Sequence, residues 1–302
     1  MGTNRTNQGE QANGHALEDL LTLARSIGWG AGAILQDFYH NSAPVEVQKA
    51  GEAPITAADL AANHYILDNL HAALGTQNFG YLSEETFQTQ APEDRLRHEW
   101  VWVIDPLDGT KDFIQRTGEF AVHIALAYQG RPVLAVVSWP EAQKLYYALK
   151  GQGTFVEMPD GQGAYTQTRL KVSDRANPEE YAVIVSRTHR DDRFNQLLTR
   201  LPFRDRAYVG SVGCKIAAIV DHRADVYLSL SGKSAPKDWD MCAPELILTE
   251  AGGQFTHFDN TPLTYNNPDV SQWGGLMATN GCCHGELCEK ASAILQEMDQ
   301  ER

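Results

Sequence analysis

Asp105 and Asp108 stand three apart in D-P-L-D-G-T-K-D-F, where the apolar run V-W-V-I ends in a knot of polar groups. Glu84 and Glu85 lie in L-S-E-E-T, Asp59 opens a helix-like stretch, and Asp240 stands just before another, with Pro244 inside its first turn. Hard divalent cations take oxygen ligands, several of them charged, held on rigid elements at strand and helix ends. Pro106 stiffens the turn, the Leu107 carbonyl lies between the two aspartates, and Gly109 permits close backbone approach. Gly109 and Thr110 can offer backbone N–H groups to a phosphate where a helix starts. Taken singly, each acid also reads as a helix cap or a solvated turn residue. Taken jointly, they point to phosphate chemistry assisted by divalent cations.

The elements that must carry these groups can be read from periodicity. The segments A-L-E-D-L-L-T-L-A-R-S-I-G-W-G-A-G-A-I-L-Q-D-F-Y and T-A-A-D-L-A-A-N-H-Y-I-L-D-N-L-H-A-A-L have helical spacing, the second capped by Thr56. Gly28 to Gly32 either bend the first or let it pack closely. Strand-like runs follow at 100–104, 121–128, 133–139 and 144–149, with a hairpin turn at 129–132. Beyond residue 170 the pattern alternates: strands at 181–186 and 224–230, helices at 214–223 and 241–253. These clusters predict an α+β first lobe over residues 15–170 and an α/β second lobe over 171–302. Residues 1–14 read as a disordered tail.

The chain has 302 residues, 42% hydrophobic and 21% charged, with a formal net charge of −14. That acidity argues against a nucleic-acid groove or an anionic membrane surface as partner. It does not exclude a phosphorylated small molecule, because bound cations invert the local field. No apolar run reaches the ~20 residues of a membrane span. Five scattered cysteines do not form a disulfide framework, so a reducing cytoplasm is expected. C-C-H-G-E-L-C lacks a second ligand pair for a structural zinc. The M-G-T-N-R-T start fits a short acylation pattern and more simply belongs to the tail.

Three motifs in order, S-E-E-T (83–86), W-V-I-D-P-L-D-G-T-K-D-F (102–113) and K-D-W-D-M-C-A-P-E-L-I-L-T-E-A-G-G (237–253), resemble the lithium-sensitive, magnesium-dependent phosphatases of the inositol monophosphatase superfamily. The resemblance spans nearly everything after residue 15 and implies a layered αβαβα sandwich. Lys111 after the D-G-T triplet, with V-S-R-T-H (185–189), G-S-V-G-C-K (210–215) and W-D-M-C-A-P-E (239–245), resembles the 3'(2'),5'-bisphosphate nucleotidase branch. Thr188, Met241 and the interior of G-S-V-G-C-K depart from that branch's usual residues, which bears on fine substrate preference.

The resemblance implies that Glu84, Asp105 and the Leu107 carbonyl bind one magnesium ion, and that Asp105, Asp108 and Asp240 bind a second. Thr110, paired with Asp59, would orient and deprotonate the attacking water, and Gly109 and Thr110 amides would hold the departing phosphate. Ser186, Arg187, His189, Ser211 and Lys215 would hold the second, uncleaved phosphate, with Lys233 and Lys237 as further basic candidates. His123 and Cys242 read as packing residues. The implied activity is removal of the 3'-phosphate of 3'-phosphoadenosine 5'-phosphate, and of its sulfated analogue, with lithium as an inhibitor. An inositol or sugar-phosphate phosphatase is the alternative on the same scaffold, and an inactive metal- or nucleotide-sensing partner a remote one. Members of the superfamily occur as monomers and homodimers, and no interface signature stands out.

Overall fold

The computed structural model describes residues 11–41, 48–50, 53–187 and 190–301. A small hairpin, β1 (Gln11–Ala12) and β2 (His15–Ala16), leads into α1 (Leu17–Asn41). The expected tail therefore stops short of residue 11: Ala12 is fully buried against the first helix layer. The M-G-T-N-R-T start lies outside the described residues. A two-stranded ribbon, β3 (Gln48–Ala50) with β4 (Ala53–Ile55), precedes α2 (Ala57–Leu74). Then come β5 (Gly80–Ser83), α3 (Glu84–Phe87), α4 (Pro92–Leu96), β6 (Trp100–Asp108), α5 (Thr110–Ile114), β7 (Ala121–Tyr128), β8 (Arg131–Trp139), β9 (Lys144–Leu149), β10 (Gly153–Pro159) and β11 (Tyr165–Leu170). The chain continues through β12 (Ala182–Ser186), α6 (Asp192–Arg200), β13 (Asp205–Val209), α7 (Val212–Val220), β14 (Val226–Leu230), α8 (Asp238–Glu250), β15 (Gln254–His257), β16 (Gly275–Thr279) and α9 (His284–Gln300).

Two sheets hold these elements together. A seven-stranded sheet runs in the order β11-β10-β9-β8-β7-β6-β5, antiparallel except for the parallel β5–β6 pair. A five-stranded mixed sheet runs β13-β12-β14-β16-β15. Three apolar cores fill the spaces between five layers, the middle one lying on both sides of α7 and α8. Helices α1 and α2 cover one face of the large sheet, with Leu20, Ile27, Leu35, Ile66, Trp102 and Ile104 buried between them. Helices α7 and α8 lie between the two sheets with Val101, Val103, Ile216 and Ile247. Helices α6 and α9 cover the outer face of the small sheet. The result is the layered αβαβα sandwich.

The V-W-V-I run is apolar on both faces because β6 is covered on both, its alternate residues feeding opposite cores. The glycines of α1 serve packing and not a bend, since the helix is continuous across them. A methyl group at Gly28 would lie 2.8 Å from Val136 Cγ1, so glycine lets the helix seat closely on β8. Among the described residues no helix is long and apolar enough to cross a membrane.

Candidate active site

Register explains how the acids meet. In the parallel pair β5–β6, Ser83 lies opposite Ile104, so the next residues, Glu84 and Asp105, emerge side by side at the carboxyl ends of both strands. Open α/β sheets place ligands at such strand ends. Along β6 the pairing with β7 then slips: Asp105 faces His123 while Asp108 faces Ala121. Three steps on one strand against two on the other make a bulge at Pro106–Leu107, the kind of position at which a strand tolerates proline. Gly109 turns the chain with φ 94°, a left-handed conformation that favours glycine, and α5 begins at Thr110.

Helix ends bring the remaining groups. Asp59 is the third residue of α2, where its carboxylate accepts from the Thr56 amide at 2.8 Å and closes a capping box. Its other oxygen accepts from Thr110 Oγ1 at 3.2 Å, and the same hydroxyl lies 3.2 Å from the Leu107 carbonyl. Asp240 is not ahead of its helix, as the sequence reading had it, but the third residue of α8, accepting from the Lys237 amide at 2.7 Å. Lys237 and Asp238 take the cap and first position, which pushes Pro244 beyond the first turn. One oxygen each of Asp105, Asp108 and Asp240 lie within 4.8 Å of one another, a spacing that suits a shared cation.

Electrostatics show what kind of partner such a cluster calls for. Burial, then the charges of Asp240, Glu85, Asp59 and Asp108, hold the Glu84 carboxyl well above the usual carboxylate range. Burial and the neighbouring Glu84, Asp108 and Asp240 do the same to Asp105, which is 1% exposed. Asp240 is pushed up to about 7 by burial and by Asp108. Burial also raises Asp59, against its bonds from Thr56 and Thr110. A hard divalent cation is the chemical complement of this all-oxygen donor set, because it stabilises the ionised forms that the carboxylates otherwise disfavour in one another.

The sign of the linkage follows. These folded-state pKa values lie above the unfolded ones, so the folded chain binds more protons and loses stability as pH rises from about 4 to about 7. A bound divalent cation reverses the loss. Magnesium is therefore expected to raise the melting temperature little at about pH 5 and markedly at about pH 8. Scanning fluorimetry with and without magnesium measures this. A gain that shrinks with rising pH would contradict the assignment.

The other motif residues are engaged mostly with one another. Ser211 caps α7 and donates to Asp108 Oδ2 at 2.5 Å, while the Gly213 amide reaches the same oxygen at 3.1 Å. Lys215 is buried in α7, its Nζ donating to the Gly210 carbonyl, and burial lowers its pKa against the pull of Asp108. Arg187, read as a phosphate fork, is instead held by Asp112 and by Glu119 at 2.7 Å. Lys237 Nζ donates to Ser271 Oγ at 2.7 Å, Lys233 and Lys111 are exposed, and Ser186 ends β12 half-buried. His189 lies outside the described residues.

Two sets of residues escaped the sequence reading. Buried His123 has Nδ1 3.2 Å from the Trp239 carbonyl and Nε2 3.2 Å from Asp108 Oδ2, so it is more than packing. Its position opposite Asp105 in the ladder was the only signal available. Asp112 and Glu119 anchor Arg187, and Glu119 Oε2 also accepts from the Gly210 amide at 2.8 Å. Cys242 is fully buried in the middle core. In the C-terminal cysteine run Cys283 Sγ donates to the Ala176 carbonyl and both His284 nitrogens face threonine hydroxyls. Among the described residues no metal cluster forms there.

The sequence pattern of the inositol monophosphatase family matches residues 16–296. The 3'(2'),5'-bisphosphate nucleotidase CysQ of Salmonella typhimurium is 34% identical over 252 residues, covering 82% of this chain and 93% of that protein. CysQ of Escherichia coli K12 is 32% identical with the same coverage. Among solved structures, an inositol monophosphatase of Thermotoga maritima superposes with a TM-score of 0.73 at 22% identity, covering 93% of this chain and 99% of that one. CysQ from Bacteroides thetaiotaomicron superposes at 0.71 and 25% identity, covering 87% and 97%. The chain belongs to the inositol monophosphatase family, whose members are metal-dependent hydrolases.

Proposed function

We propose that this protein is a magnesium-dependent 3'(2'),5'-bisphosphate nucleotidase that converts 3'-phosphoadenosine 5'-phosphate to AMP and phosphate, and its sulfated analogue to adenosine 5'-phosphosulfate. The observation that carries the reading is the convergence of Asp105, Asp108 and Asp240, with Glu84 close enough to raise Asp105, beside a hydrogen-bonded Asp59–Thr110 pair. Relatives that carry the name 3'(2'),5'-bisphosphate nucleotidase support a nucleotide substrate here ahead of an inositol phosphate.

Glu84, Asp105 and the Leu107 carbonyl would hold one magnesium ion, and Asp105, Asp108 and Asp240 a second. Bound there, the two ions supply Lewis-acid stabilisation of charge on the phosphoryl group and the departing oxygen. Ser211 and the Gly213 amide engage one Asp108 oxygen, which leaves the other available as a cation ligand. Thr110 Oγ1 donates to Asp59 Oδ1, so its lone pairs are free to accept from a water in line with the phosphorus. As that water attacks, its proton passes through the Thr110 hydroxyl to Asp59 Oδ1, whose burial makes it the better base. The 3'-oxygen leaves with the bonding electron pair and is protonated by solvent. Gly109 and Thr110 amides would hold the phosphate. Ser186 and one of the remaining Lys215 N–H groups are the candidates for the 5'-phosphate.

A phosphate-release panel with magnesium tests the reading. Nucleotide 3',5'-bisphosphate is expected to turn over fastest, with lithium inhibiting in the low-millimolar range. Faster turnover of inositol 1-phosphate or fructose bisphosphate would overturn the substrate choice. Thr110→Ala is expected to lower kcat by about 10²-fold without changing magnesium affinity measured by calorimetry, and Thr110→Ser to restore much of it. An unchanged kcat in Thr110→Ala would remove the hydroxyl from the proton path.

A further inference from the structure

Three charged groups beside the carboxylate cluster have no part in the reaction as assigned: Arg187, Asp112 and Glu119. Arg187 follows β12 of the small sheet, whereas Asp112, in α5, and Glu119, just before β7, flank the large one. Arg187 Nη1 donates to Asp112 Oδ1, and Nη2 donates to Glu119 Oε2 at 2.7 Å and to the Tyr208 carbonyl at 3.1 Å. Both N–H groups of Nη2 are thereby used. One guanidinium against two carboxylates leaves the trio with negative charge in excess, which repels a phosphate. A fork so committed is not free for the bidentate phosphate contact that the sequence suggested.

What the trio holds is the start of α7. Glu119 Oε2 accepts from the Gly210 amide at 2.8 Å, and the Glu119 carbonyl accepts from the Ser211 amide at 3.2 Å. Successive amides of the connection between β13 and α7 are thus bound by one residue. Close packing fixes the same place: a methyl group at Gly210 would lie 2.7 Å from the Glu119 carbonyl oxygen, and one at Gly109 2.9 Å from it. That carbonyl therefore sits between the Gly109–Thr110 turn and Ser211, whose hydroxyl donates to Asp108 Oδ2 at 2.5 Å. Asp112 follows Thr110 in the same short helix, so Arg187 ties that turn to the segment that engages Asp108. A hydrogen bond to a metal-ligating carboxylate sets its orientation, and losing its support typically costs about 10- to 100-fold in metal affinity or activity.

We propose that, on the phosphatase reading of the carboxylate site, Arg187 and Glu119 are positioning residues that act through Gly210 and Ser211 on Asp108, and are not ligands of the substrate. Two substitutions separate the roles. Were Arg187 to hold the 5'-phosphate, Arg187→Met would raise KM for adenosine 3',5'-bisphosphate, and Glu119→Ala, which frees the guanidinium, would lower it. As positioning residues they act alike. Without the guanidinium, Asp112 and Glu119 face each other as like charges, which draws Glu119 off the Gly210 amide; Glu119→Ala removes that contact directly. Both variants are expected to lower kcat by about tenfold or more on adenosine 3',5'-bisphosphate and on 3'-AMP, with KM little changed. Both are also expected to weaken magnesium binding to the substrate-free chain, measured by calorimetry. In the metal-free chain, amide hydrogen exchange should quicken at Gly210 and Ser211 and stay as in the wild type elsewhere. Arg187→Lys keeps a charge without the fork and is expected to recover little. Three results would each overturn the proposal: a raised KM for the bisphosphate alone with kcat kept in Arg187→Met, magnesium affinity unchanged in both variants, or exchange quickened throughout the chain. Faster turnover of an inositol phosphate than of either nucleotide by the wild-type chain would overturn the substrate choice instead, and leaves the magnesium and exchange measurements to decide the positioning role.

Discussion

Asp105→Asn is expected to reduce magnesium-supported turnover by about 10³-fold or more while the chain remains folded. Asp105 is the acid through which both cation positions would be joined, and it is 1% exposed. Asparagine keeps its volume and the contact from the Leu107 amide at 3.0 Å, so the bulge survives. What changes is charge. Losing it removes a carboxyl whose ionised form burial and the charges of Glu84, Asp108 and Asp240 disfavour. The metal-free variant should therefore melt above the metal-free wild type at about pH 8, and should gain little from added magnesium. Phosphate release and paired melts measure both effects. Retention of more than about a tenth of the turnover would overturn the metal assignment, whereas lost turnover with a lowered metal-free melt would show a folding defect.

Arg131→Ala is expected to destabilise the fold by about 3 kcal/mol, a melting drop on the order of 5–10 °C for a chain of this size. Arg131, on the large sheet, pairs with Glu245 of α8, the helix whose first turn carries Asp240. Glu245 is buried, and its other oxygen accepts from the Tyr265 hydroxyl at 2.6 Å. Without the guanidinium, a carboxylate remains in the core with that single donor. The figure is placed at the low end for broken buried pairs because the Arg131 side chain is 39% exposed and already screened by water. Burial raises the Glu245 pKa and Arg131 opposes the rise, so removing Arg131 raises it further. Protonation then relieves the defect, which should narrow as pH falls from neutral towards about 5. The neutral pair Arg131→Met with Glu245→Gln should recover most of the stability. Unfolding curves of the three chains across pH decide the matter, and a pH-independent defect would mean that lost packing, not the stranded charge, is responsible.

The acids were legible in the sequence because their signal is local. A continuously apolar strand, a D-P-L-D-G-T turn and helix-first-turn carboxylates each announce themselves within a dozen residues. The second tier of the site was not legible, because its partners are distant. Ser211 reaches Asp108 across 103 positions, and Arg187 reaches Glu119 across 68. From the sequence, the arginine and the serine looked like groups awaiting a phosphate. In the fold the serine is held by Asp108, and the arginine by Asp112 and Glu119, two acids given no role from the motifs. Asp240 shows a subtler limit. The sequence placed it ahead of α8, and only the geometry shows that the helix starts at Asp238, which enters a separate network with Gln272 and Asn266. The sheets were foreseen as strands, but their grouping into two sheets separated by α7 and α8 depends on pairings between strands far apart in the chain.

The bulge in β6 carries one last consequence, which is a matter of parity. On a regular strand, residues three apart point to opposite faces, so Asp105 and Asp108 would sit on different sides of the sheet. One extra residue turns that odd step into an even one and brings both carboxylates to the same side. Losing a single residue from the Pro106–Leu107 pair would keep both acids in the sequence and turn one of them away from the other. Here the length of the turn is as much a part of the chemistry as the side chains it joins.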